Sequence, residues 1–202
     1  MSPATQCHST GRSLSRALVV LLGLCAGLAS LAPSGASAEI KKLLEMCPGQ
    51  KLCPWFQAAV TPPKGWVEDK AIGDANHLTM LTPDKPELGA DDALIYVQTS
   101  YENGPETLDQ IIARNQADWR KSDPKTSITP LGTVPHGASG EPYKVFLFQN
   151  PDRPKQAFEK IAYGFAKLPN GERYFLIVVD TAASKAIVDQ ADDAFLDVLK
   201  QL

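Results

Sequence analysis

Eight residues near the C-terminal end, Arg173–Asp180 (RYFLIVVD), constrain this chain more than any other feature. In an extended strand, alternate side chains point to opposite faces. Here Tyr174, Leu176 and Val178 lie on one face, and Phe175, Ile177 and Val179 on the other. A strand that is apolar on both faces belongs in the interior of a sheet with cover on both sides. Tyr143–Gln149 has the same character, with Tyr143, Val145 and Leu147 set against Phe146 and Phe148. Leu168-Pro169-Asn170-Gly171 is hairpin-turn chemistry. It predicts that Phe158–Lys167 pairs antiparallel with the strand that follows it.

The cover for such a sheet is visible elsewhere in the chain. Thr107 and Gln110 form a capping-box pattern at the start of a helix that Ser122-Asp123-Pro124 stops. Leu108, Ile111, Ile112 and Trp119 share one stripe of that helix, with Asn115 as an odd polar member that we expect to bond backbone. A second helix is predicted from about Ala183 to Leu202, with Ile187, Val188, Ala191, Phe195, Val198, Leu199 and Leu202 at helical spacing. Asp92–Tyr101 alternates as a strand, and shorter strands are expected at Gly65–Asp69 and His77–Leu81, with turn residues Gly73–Asn76 between them. Ser127–Leu131 carries Pro130, which places it at an edge or outside the sheet. Glu39–Met46 sets Ile40, Leu43, Leu44 and Cys47 at helical spacing and reads as a short helix. Together these elements predict an α+β fold: a largely antiparallel sheet with a mid-chain helix and a C-terminal helix, arranged as an α/β/α sandwich.

The N-terminal 38 residues read as a secretory signal peptide. Arg12 and Arg16 precede an apolar and small-residue run from Ala17 to Ala32, and Ala36-Ser37-Ala38 is an A-x-A cleavage pattern. Cleavage near Ala38 would remove two of the 20 basic residues and none of the 23 acidic ones. The remaining chain is mildly acidic, which gives no support to nucleic-acid binding. No later stretch is apolar for long enough to span a membrane. Cys47 and Cys53 are the only cysteines after the signal, and an even pair in an exported chain predicts a disulfide. Their spacing is wider than the Cys-x-x-Cys of redox enzymes. We expect a periplasmic or extracellular protein with three parts: a signal at 1–38, a short disulfide-pinned segment at 39–54, and one α/β domain at 55–202.

The sequence holds no catalytic, cofactor-binding or metal-ligating pattern. His77 and His136 lack metal spacing and read as exposed loop residues. Ser139, in Gly137-Ala138-Ser139-Gly140, departs from the Gly-x-Ser-x-Gly nucleophile elbow and precedes a strand rather than a helix. Asp84, Glu87, Asp91 and Asp92 form an acidic loop without the fixed offsets of a calcium loop. A solvated loop is the simpler reading there, with a weak divalent-cation site as the alternative.

Pro63-Lys64-Gly65-Trp66 at a strand opening, the strand Ala93–Ser100, the Leu108 helix, and Gly140-x-x-Tyr143 leading a strand resemble the PsbP/DcrB-like superfamily of small exported α/β domains. So do the hairpin at Asn170-Gly171 and a final amphipathic helix carrying Phe195. The resemblance covers about residues 55–202. It implies a non-catalytic binding or assembly module of the cell envelope, with another envelope protein as partner. The mild acidity and the disulfide suit a different class as an alternative, a secreted or periplasmic inhibitor or immunity protein that offers a rigid loop to a basic site. A third class, a hydrolytic enzyme, would need site residues scattered along the chain without a local motif.

Overall fold

Nine strands join in one open sheet in the computed structural model, which describes residues 39–49, 51–89, 92–136 and 140–202. Residues 1–38, where the export signal is expected, lie outside the described residues, as do Asp91 and Ser139. The strands are β1 (Ile40–Cys47), β2 (Lys51–Ala58), β3 (Trp66–Glu68), β4 (Thr79–Pro83), β5 (Leu94–Tyr101), β6 (Ser127–Val134), β7 (Tyr143–Gln149), β8 (Phe158–Lys167) and β9 (Arg173–Ala182). The helices are α1 (Lys70–Asn76), α2 (Leu108–Ser122), α3 (Lys185–Gln190) and α4 (Asp192–Gln201). Across the sheet the order is β1-β2-β5-β9-β8-β7-β6, and β4, with β3 beyond it, branches from β5. The strand pairs are antiparallel, so the chain has a largely antiparallel α+β architecture dominated by its sheet.

The expected hairpin is β8–β9. Its register runs from Lys167↔Arg173 to Phe158↔Ala182 around a turn in which Gly171 takes φ +87°. β9 sits inside the sheet between β5 and β8, as its two apolar faces require. On one face, Leu108, Ile111 and Ile112 of α2 pack onto Phe148, Ile161, Tyr163, Phe165, Phe175 and Val179. On the other face, Phe195, Val198 and Leu199 of α4 pack onto Val97, Val145, Ala162, Leu176 and Val178. The Thr107 capping box forms as the sequence predicts. Asn115 does not bond backbone. It accepts a 2.7 Å hydrogen bond from the Tyr163 hydroxyl and so satisfies a buried phenol beneath α2. Gly164 of β8 lies against the Tyr143 ring, where an added Cβ would stand only 2.4 Å from ring carbons.

Three local expectations are corrected. Residues 40–47 form strand β1, not a helix. Over eight residues the sequence fits both periods. Hairpin pairing with β2, and the tie of Phe56 to Thr99 in β5, select the extended form. β2 runs through residue 54 without a break into the same sheet. The Gly73–Asn76 turn is instead the last part of α1, a helix started by the Asp69 carboxylate, which accepts from the Ile72 amide. The long C-terminal helix is two helices meeting at Ala191, which has φ −86° and ψ 0°. The break lets Val188 pack with Ala93 and Ala182 while Phe195 enters the main core.

Several contacts between distant segments were not legible beforehand. Arg173 donates from Nε to the Glu102 carbonyl and from its guanidinium to the carbonyls of Gly104 and Glu106, and it stacks over Phe165 at 4.2 Å. It thereby holds the loop that leads into α2. Gln201 exchanges two hydrogen bonds with the Thr61 backbone, which ties the end of α4 to the segment before Pro62-Pro63.

Candidate functional site

The turn residues Pro48 and Gly49 let the chain reverse, Gly49 taking φ +86°, so that β1 and β2 form a hairpin at one edge of the sheet. Cys47 lies opposite Lys51 and Glu45 lies opposite Cys53, which makes the two cysteines diagonal neighbours on one face. Their Cα atoms are 5.8 Å apart and the expected disulfide is present. It closes the hairpin near its tip.

Strand alternation gives the hairpin two unlike faces. One carries Leu44, Met46 and Leu52 at 59%, 65% and 64% exposure. Pro54 and Phe56 continue this face toward the core, where Phe56 meets Tyr174 at 5.1 Å and the exposed Tyr101 at 6.1 Å. Large apolar side chains standing in water side by side are a mark of an interaction surface.

The other face is mixed, with Leu43, Trp55 and the disulfide among charged residues, and it borders a cleft of about 530 Å³ lined by Lys41, Glu45 and Trp55 together with Glu68, Lys70 and Asp74. His77 stands beside it. It ends α1 in the left-handed conformation, with φ 56°, a region costly for a residue with a Cβ yet one that histidine visits more readily than most. Its Nε2 lies 2.8 Å from Glu45 Oε2, and its ring packs on Trp55 with centroids 5.1 Å apart. His77 is therefore half-exposed, as the sequence suggests, but it is a bridge between α1 and the hairpin. The groups engaging its ring are the Glu45 carboxylate and the Trp55 indole.

The remaining sequence candidates are dispersed. His136 is half-buried and stacks on Tyr143 at 4.8 Å, nearly parallel, and burial lowers its pKa. In the acidic loop, Asp92 accepts from Lys85 Nζ and from the Gly89 amide, and these contacts hold its carboxyl below the usual range. Among the described residues, no group of three His, Cys, Asp or Glu converges as a metal site.

Two buried carboxylates in the central strands escaped sequence reasoning. Asp180 is fully buried, and neither of its oxygens has a hydrogen-bond partner among the described residues. Burial pushes its pKa up to about 7, against the pull of Lys160 opposite it on β8. Lys160 itself pairs with Asp192 at 2.5 Å and lies over the Phe195 ring. Glu159, on the other face of the sheet, is also raised to about 7 by burial, and Arg153 opposes that shift. The only advance signal was charge inside otherwise apolar strands, a pattern that does not reveal whether the charge meets solvent.

No protein-family model matches this chain, and no curated protein matches it in sequence. Among the described residues, no helix is long and apolar enough to cross a membrane.

Proposed function

We propose that this chain is a non-catalytic, exported cell-envelope protein that acts as a binding or assembly module, with the β1–β2 hairpin as its docking element. On this reading the fold is the α/β/α sandwich of the PsbP/DcrB-like superfamily. The observation that carries the proposal is the cluster of Leu44, Met46 and Leu52, each more than half exposed on one face of a disulfide-closed edge hairpin. Leaving three such side chains in water forgoes the stabilisation of burying them, about 1.5–3 kcal/mol each for full burial. A partner surface recovers that energy. The disulfide agrees with an oxidising compartment.

A photo-activatable cross-linking amino acid placed at position 46 tests the proposal in intact cells. Position 121, on the exposed side of α2, is the control. A discrete protein adduct from 46 and none from 121 is the expected result. Absence of any adduct from 46 refutes the docking role.

A further inference from the structure

We propose that β1 pairs antiparallel with β1 of a second copy of this chain, joining two sheets edge to edge, a step that rests on reading the hairpin as the docking element and names its occupant.

The two terminal strands of the sheet order differ in their protection. β6 carries Pro130, which has no N–H to offer a neighbour, and its register shifts between Pro130 and Gly132, where Gly132 takes φ +110°. Proline and a bulge are devices that keep a sheet edge from recruiting another strand. β1 has neither. Its eight residues, IKKLLEMC, run in unbroken register with β2 from Ile40↔Ala58 to Cys47↔Lys51. Its second edge pairs with no strand among the described residues. Such an edge presents a row of free backbone donors and acceptors.

The charges on β1 select its own copy as the partner. In a two-fold antiparallel pair the axis stands perpendicular to the sheet and passes beside a single residue. With the axis at Leu43, Lys41 lies opposite the partner's Glu45, and Glu45 lies opposite the partner's Lys41. Ile40 then meets the partner's Met46, and Leu44 lies against the stem of the partner's Lys42, an exposed side chain that can carry its ammonium past it into water. Cross-strand pairs of opposite charge and of apolar groups are the stabilising unit of a sheet. Moving the axis to Lys42 would set two ammonium groups against each other, and moving it to Leu44 would set Leu43 against a carboxylate; both shifts lose the two Lys41–Glu45 pairs. His77 engages Oε2 of Glu45, which leaves Oε1 for the incoming lysine.

Sedimentation velocity of the purified protein across the micromolar range tests the pairing. The wild type is expected to show a concentration-dependent dimer. Lys41→Glu and Glu45→Lys each place like charges opposite one another twice and should weaken the dimer by about tenfold. The double variant Lys41→Glu/Glu45→Lys restores opposite charges and should recover it, which a variant that merely misfolds cannot do. A wild type that stays monomeric, or a double variant no better than the singles, overturns the pairing. If cross-linking from position 46 then still captures a different protein, the hairpin remains a docking element with another occupant; if it captures nothing, both readings fall.

Discussion

Replacing Asp180 by Asn should make this protein's stability less sensitive to pH. Asp180 is 0% exposed, and among the described residues neither of its carboxylate oxygens has a hydrogen-bond partner. Burial is the main cause of its raised pKa, from 3.8 to about 7; Lys160 works against the shift, and Asp192 and Asp189 add to it. The folded state therefore keeps a proton that the unfolded chain releases near pH 4. This contribution is complete below the unfolded pKa and is lost as pH rises through about 7. A gap of that size corresponds to about 4 kcal/mol. Asn keeps the shape of the protonated acid but cannot ionise, and Lys160 retains its pair with Asp192. Urea unfolding at a series of pH values from about 5 to about 8 is the assay. The wild type should lose stability across that range, with an uptake difference approaching two protons because Glu159 is raised to about 7 as well. The Asn variant should lose one proton's worth of that slope and be the more stable protein at the alkaline end. A wild type that gains stability from acid to alkaline pH, or an Asn variant with an unchanged slope, would refute the assignment of a buried protonated acid at 180.

Other perturbations probe the hairpin and the core. Replacing Cys47 and Cys53 together by Ser removes a short covalent loop and should cost about 2 kcal/mol. The loss should appear as faster amide exchange over residues 40–58, and unchanged exchange there would show that strand pairing alone holds the hairpin. Gly164→Ala would place a Cβ 2.4 Å from the Tyr143 ring. Displacing that buried ring should cost about 1–3 kcal/mol, read as a lower thermal midpoint; a midpoint equal to the wild type would mean that the ring moves freely.

The parts of the fold legible in advance were those whose residue types allow one reading only. β7, β8 and β9 are dense in aromatic and aliphatic side chains on both faces, and α2 has a long apolar stripe whose start is marked by Thr107 and Gln110. Segments of mixed composition were ambiguous. Ile40–Cys47 fits a helix and a strand equally until β2 lies beside it. Lys70–Asn76 contains Gly73 and Asp74, which suggest a turn, yet the Asp69 cap and the left-handed His77 enclose a helix of seven residues. The candidate site was legible only in its disulfide. Leu44 stood on the apolar spacing of an expected helix, and Met46 and Leu52 gave no signal, because apolar side chains in a sequence carry no label for which face they occupy. His77 looked solitary because its partners Glu45 and Trp55 are remote in sequence.

By itself the sequence determined that this chain forms an antiparallel sheet with apolar strands at its centre, a capped helix after β5, helical cover at its end and a Cys47–Cys53 bridge. Each of these follows from local periodicity, turn chemistry or residue count. Only the tertiary structure decided that the N-terminal segment is an edge strand, that its apolar side chains face water, and that Asp180 and Glu159 are buried without full compensation. Those outcomes depend on which distant segments meet, and solvent exposure and electrostatic environment are properties of that meeting rather than of any single stretch of chain.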